Sequence, residues 1–284
     1  MAWRAGSFFT ALLAAGAGLT LAAGAFARPL DEVVAGGVLH VAVYESNRPF
    51  SYTEDGRLKG IDVDLATALA EAIGVKASFI ARMQGEDVDT DLRSNVWKGP
   101  VAGGPVGDVM MHVPIDRELA LRNREAFLIN PYFEERIALF YDPARTGDEP
   151  AFEVFKREKI GVQLGTVSDY FIMFALDGAL RNNVLHYVKL GDGVKRFATG
   201  EMAAILGVRS ELEAHLADAG LARKVSEPPM PGIVRARWVV GMAVKENSRD
   251  LGYALSNALA KLRESGRIAE ICSRYGVTYV PPSP

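Results

Sequence analysis

One cysteine, Cys272, stands in a chain of 284 residues. No intramolecular disulfide can form, so stability must come from apolar cores, which a chain of this length can build even in an oxidising compartment. Cys272 itself is expected to pack on a helix. Histidine is scarce as well: His40, His112, His186 and His215 show no metal-ligand spacing. The net charge is only −3 and no basic stripe runs through the sequence, which argues against a nucleic-acid partner. There is no G-x-S-x-G elbow, no Walker loop and no cysteine paired with histidine in a known pattern. With no nucleophile motif, no cofactor motif and no metal set, the chain reads as a non-enzyme. Asp87, Asp89 and Asp91 alternate as in a calcium loop, but Leu92 and Lys98 fall where such a loop needs Gly and Glu. The triplet reads as a solvated helix start.

What is present begins with an address. Arg4, the apolar stretch Phe8 to Ala23 and Ala25-Phe26-Ala27 have the order of a cleavable secretory signal peptide, with cleavage expected after Ala27. A retained membrane anchor is the weaker reading, because Ala and Gly dominate the stretch and a small-residue site closes it.

The clearest structural signal is Val38 to Ile73. Val38–Tyr44 is apolar and rich in β-branched residues, as a buried strand is. Asn47, Arg48, Pro49, Phe50 and Tyr52 form a loop, and a turn follows at Glu54-Asp55-Gly56. From Ile61 the spacing changes: Ile61, Leu65, Leu69 and Ile73 share one helical face. Asp62 and Asp64 occupy the first turn, where the helix dipole favours carboxylates. Strand, aromatic loop and helix in this order place the loop at the carboxyl end of a strand, where α/β proteins hold ligands.

Pro49-Phe50-Ser51-Tyr52 and Gly60-Ile61-Asp62-Val63-Asp64-Leu65-Ala66 resemble the start of bacterial extracellular solute-binding proteins of family 3, the polar amino-acid receptors of ABC importers. Asn130-Pro131-Tyr132-Phe133, the stretch from Lys159 to Tyr170 and Asn247 to Tyr275 resemble later parts of the same family. The resemblance implies a two-lobed α/β fold of periplasmic binding protein type II, each lobe a mixed sheet flanked by helices, with a two-strand hinge. The implied division is residues 28–135 and 236–284 for lobe one and 136–235 for lobe two. It also implies a periplasmic monomer with a small-molecule ligand and an importer permease as partner.

The ligand contacts depart from the family pattern. Leu119 aligns with the arginine that clamps the ligand α-carboxylate, although Arg117 and Arg122 lie close. Gly207-Val208-Arg209 lacks the aspartate that meets the α-ammonium, and the first carboxylate after it is Glu211. An anionic or non-amino-acid ligand is therefore expected. The candidate contacts are Asn47, Arg48, Phe50, Tyr52, His112, Arg117, Thr166 and Arg209. Thr166 caps the helix after the Gly165-Thr166 turn, and the first-turn amides there can hold an anion. The strand Asp108–Pro114 and the long segment before it, Arg82 to Gly107, also resemble a family 3 branch associated with periplasmic quinoprotein (methanol-type) dehydrogenases. That implies an alternative role as accessory protein of such an enzyme. A dehydratase on the same scaffold is the third reading.

Overall fold

A computed structural model describes residues 27–283. The expected signal peptide lies outside the described residues except for Ala27, and among those described no helix is long and apolar enough to cross a membrane. In chain order, α1 (Leu30–Gly36) leads into β1 (Val38–Tyr44). A small antiparallel sheet follows, made of β2 (Ser46–Asn47), β3 (Ser51–Glu54) and β4 (Arg57–Lys59). Then come α2 (Ile61–Ala72), β5 (Lys76–Arg82), α3 (Val88–Leu92), β6 (Val109–Pro114), α4 (Arg117–Arg122) and the long β7 (Ala126–Tyr141). The chain continues through α5 (Pro143–Thr146), β8 (Ile160–Gln163), α6 (Val167–Phe174), β9 (Val184–Tyr187), α7 (Leu190–Ala198), β10 (Ala204–Val208), α8 (Arg209–Asp218) and β11 (Lys224–Ser226). It returns along β12 (Arg237–Lys245) and ends in α9 (Arg249–Glu264) and α10 (Arg267–Arg274).

These elements make a type II two-lobed α/β fold. The main sheet has the order β5-β1-β6-β12-β7-β10-β8-β9, with β11 also on β7. In lobe one, β5, β1 and β6 are parallel and β12 runs against β6; in lobe two, β10, β8 and β9 are parallel and β7 runs against β10. Among the described residues the chain crosses between the halves along β7 and β12, antiparallel to each other. Separate cores back this up. Leu39, Val41, Leu65 and Leu69 pack with Val244, Leu255 and Ile271 in one, while Leu139, Phe155, Val162 and Leu206 build another. Trp238, partly buried on β12, touches both.

The first crossing is one strand of 16 residues. A register shift against β12 near Gly241, with Asn130 in the left-handed region at φ 59°, absorbs the interruption that Pro131 imposes. The acidic triplet is not a uniformly solvated helix start. Asp87 caps α3, but Asp91 is buried and accepts a hydrogen bond from the Tyr44 hydroxyl at 2.7 Å. Cys272 is buried, and burial pushes its thiol up to about 12, which makes it inert.

Candidate functional site

The loop after β1 is fixed by Gly60, whose φ of 133° and 2.1 Å approach of a would-be Cβ to the Phe50 carbonyl exclude any other residue. This brings the first turn of α2 beneath Phe50. Asp62, the second residue of that helix, is fully buried (0 % exposed). Its Oδ1 accepts a hydrogen bond from Tyr132 Oη on β7 at 2.5 Å, and the Tyr132 oxygen in turn accepts from the His112 backbone N–H at 3.0 Å. His112 lies within β6 with φ 59°, an uncommon conformation for a residue with a side chain. Its Nδ1 lies 3.5 Å from Asp62 Oδ2, and neither atom has a hydrogen-bond partner. The Phe50 ring lies 4.3 Å from the imidazole. Burial opposes the imidazolium, yet Asp62, with weaker help from Glu135 and Glu211, holds His112 above the ordinary histidine range.

Two further carboxyls come from the crossing and from lobe two. Glu135 on β7 is 3 % exposed, and its Oε1 accepts from the Ser210 hydroxyl at 2.6 Å, while Oε2 is unpartnered. Burial pushes Glu135 up to about 7 in spite of Ser210. Glu211, beside Ser210 on α8, is also pushed up to about 7 by burial, with His112 acting in the opposite direction.

Glu211 lines a largely enclosed cavity of about 260 Å³. The walls come from the crossing strands (Ile137, Trp238), the turn after β8 (Gln163, Thr166), and Tyr187 on β9. No Lys, Arg or His lines it. Tyr187 is 5 % exposed and its hydroxyl has no partner. Thr166 caps α6 by accepting from the Asp169 N–H at 3.3 Å, as its position implied. The Asp169 carboxylate, however, accepts from the Gly165 N–H at 2.8 Å and contacts His186 Nε2 at 2.8 Å. A protein carboxylate thus already engages this turn, which weakens it as an anion site.

The other candidates scatter. Phe50 belongs to the core of lobe one. Asn47 sits on β2 with its Nδ2 buried and unpartnered. Arg48 stacks over the Tyr52 ring at 4.4 Å and pairs with Glu54 and Asp218, at the edge of a separate interlobe groove. Arg209 pairs with Glu213 and Glu227. Arg117 is exposed on α4, and Arg122 pairs with Asp89. Leu119 packs with Met110, Val113 and Leu92. The structure therefore does not bring Arg48, Arg117 and Arg209 to one place. Glu135, Ser210, Tyr187 and Trp238 went unnoticed in the sequence, because nothing local to them signals that the crossing strands and α8 converge.

Comparison with known proteins agrees with this architecture. Residues 39–98 match the family described as bacterial extracellular solute-binding proteins, family 3. The L-cystine-binding protein TcyJ of Escherichia coli (strain K12) is 25 % identical over 251 residues, covering 87 % of this chain and 85 % of that one. A cyclohexadienyl dehydratase of Pseudomonas aeruginosa is 50 % identical over 48 residues only, 16 % of this chain and 18 % of the other. Among solved structures, an ancestral cationic amino acid solute binding protein superposes with TM-score 0.66 at 22 % identity, over 87 % of this chain and 98 % of that one.

Proposed function

We propose that this protein, a relative of the bacterial extracellular solute-binding proteins of family 3, captures a small solute between its lobes in the periplasm and presents it to an ABC importer. The observation that carries this reading is the enclosed cavity at the crossing, walled by both connecting strands and by lobe two. A ligand there touches both crossing strands, the segments through which one lobe can move relative to the other. The proposed division of the chain remains residues 28–135 with 236–284, and 136–235. The protein acts as a monomer.

The ligand is not an ordinary α-amino acid. The buried position of Leu119 and the exposed position of Arg117 support this, since neither offers a clamp to a carboxylate in the cavity. The anionic part of the expectation draws no support from a lining without a basic side chain. A second reading, a dehydratase, has one observation in its favour: Glu135 and Glu211, both pushed up to about 7, stand near His112 and are suited to proton transfer. Nothing in the cavity favours the dehydrogenase-accessory role over capture of a solute, and the genes beside this one decide between importer and dehydrogenase partners.

The test is a thermal-shift screen of the exported protein with amino acids, organic acids, amines and quinone cofactors, repeated on Trp238→Ala. Capture predicts a saturable stabilisation by one class that Trp238→Ala removes. Dehydration of a hydroxy acid by the protein, abolished by Glu135→Gln, would establish the dehydratase instead.

A further inference from the structure

The cavity offers a cation a site and an anion none. Glu211 reaches it with no basic residue in the lining, and the Tyr187 hydroxyl, nine-tenths buried, lacks a partner. An unpaired buried hydroxyl such as that of Tyr187 is costly unless something satisfies it. Nearby arginines are committed elsewhere or point to solvent: Arg209 to Glu213 and Glu227, Arg136 to Glu134 and Glu227, Arg237 to Glu227, Arg48 to Glu54 and Asp218, and Arg117 to solvent. The carboxylate of Asp169 already takes the Gly165 amide. A ligand carboxylate would meet the Glu211 carboxyl and no basic side chain. A bare metal ion fits no better, since among the described residues no group of three or more His, Cys, Asp and Glu side chains is placed to hold one.

Size narrows the choice. At about 260 Å³ the cavity falls just below the range of roughly 300–1,000 Å³ usual for drug-sized ligands. Uncharged polar groups, Gln163, Thr166 and Ser168, line one side, and Trp238, Ile137, Leu190 and Val208 supply apolar or aromatic walls. An indole face attracts an organic cation through its ring quadrupole.

We infer that the ligand of this pocket is a small organic ammonium ion without a carboxylate, held by Glu211 and the Tyr187 hydroxyl among apolar walls that include Trp238. This rests on the cavity being the solute site. Binding carries a proton consequence. The carboxyl of Glu211, pushed up to about 7 by burial, is largely protonated in mild acid, so the ammonium must displace that proton. The charged groups facing it are His112 from β6, which opposes the rise, and Glu135 from β7.

The experiment is calorimetry on the full exported protein with propylammonium, propionate, arginine and alanine as probes. Runs in two buffers of different ionisation enthalpy count released protons. Propylammonium is expected to bind with proton release near pH 7, and to weaken roughly tenfold per pH unit below about 7. Glu211→Gln is expected to lose at least about a hundredfold in affinity and to abolish the pH dependence. Tyr187→Phe weakens binding but keeps that dependence. Should Glu211→Gln fail to fold by circular dichroism, the proton count and pH profile of the wild type carry the test alone. Propionate or an amino acid binding in place of propylammonium, and lost in Trp238→Ala, would overturn the ammonium assignment while leaving the pocket as the solute site. Binding of any probe that is indifferent to both Trp238→Ala and Glu211→Gln, or no binding by any probe, would overturn the pocket reading and the ammonium assignment together.

Discussion

The imidazole of His112 stands 3.5 Å from the buried carboxylate of Asp62, closer than a solvated pair needs to be and longer than a hydrogen bond. Tyr132 completes the link by bonding to both residues, so β6, α2 and β7 meet in one polar knot at the edge of the cleft. Glu135 lies on the same strand as Tyr132 and shares this desolvated region.

Stability should therefore fall from mild acid to mild base. Glu135 has a folded value of about 7 against 4.5 for the free group, because burial penalises its anion. A carboxyl raised in the fold binds its proton more tightly when folded, so stability is lost as pH rises through this window, by about 3 kcal/mol for a shift of this size. His112, also raised, contributes stability that is full below the ordinary histidine value and is lost as pH rises through its folded one. Both act in one direction. Glu135→Gln keeps an oxygen for Ser210 and removes the ionisation. Urea unfolding should show the variant close to wild type at pH 5 and more stable by up to about 3 kcal/mol at pH 8. An equal difference at both pH values would refute this account.

A second link between the lobes is electrostatic and exposed. Arg48 from the loop of lobe one meets Asp218 at the end of α8 at 2.5 Å, with side chains 25 % and 52 % exposed. Such pairs are worth about 0.2–1 kcal/mol and weaken with salt. Asp218→Ala is expected to shift the closed population by no more than about fivefold, with the difference vanishing at high ionic strength. Small-angle scattering on wild type and variant, at low and high salt, measures it. A large opening that salt does not affect would mean that this pair holds the lobes in some other way.

Packing carries more of the interlobe contact than charge does. Ala214 of α8 is buried in the core of lobe one, and a Cβ added at Gly276 would fall 2.3 Å from the Ala217 methyl. Gly276 also has φ 71°, where a side chain costs roughly 1–2 kcal/mol. Gly276→Ala should lower the melting temperature and hold α8 away from lobe one. Adding Ala217→Gly should restore the closed dimensions but not the whole of the lost stability, because it removes the collision and leaves the strained backbone. If the double variant recovers neither, the close approach is not what limits the substitution.

The βα unit was readable because its signals are local. Ile61, Leu65 and Leu69 mark a face by spacing alone, and all three are buried. Gly60 and Pro49-Phe50-Ser51-Tyr52 fix a loop within a dozen residues. The site was less readable because it is assembled from residues far apart in the chain: Glu135 bonds Ser210 across 75 positions, and Tyr132 bonds Asp62 across 70. Nothing adjacent to Glu135 distinguishes it from Glu134, which faces Ser283 and Arg136 instead. Arginines misled for the converse reason. Arg48 and Arg209 lie near the cleft in sequence terms, but their partners Asp218 and Glu227 are distant and invisible to a local reading. Thr166 is the exception, because its position before a helix signals the cap it makes to the Asp169 N–H.

The last prediction concerns Leu119, where the family resemblance leads one to look for an arginine. If a missing cation were all that separates this pocket from amino-acid binding, Leu119→Arg would create it. The structure argues otherwise. Leu119 is 4 % exposed and sits in an apolar cluster with Ala42, Val96, Met110 and Val113. A guanidinium there would lose its hydration without gaining a partner, and an unpaired buried charge costs several kcal/mol. Glu118, next to it in sequence, is exposed, and Asp116 is engaged in capping α4 and pairing with Arg235. Leu119→Arg is thus expected to destabilise the protein by at least about 3 kcal/mol and to confer no binding of arginine or alanine. The control is Arg117→Ala. That side chain is exposed, so its loss should change stability by less than about 0.5 kcal/mol and leave any ligand affinity untouched. Denaturant unfolding and calorimetry on both variants check the pair. A stable Leu119→Arg protein that binds an amino acid, or an Arg117→Ala protein that loses its ligand, would mean that α4 turns its other face to the cleft when solute is present.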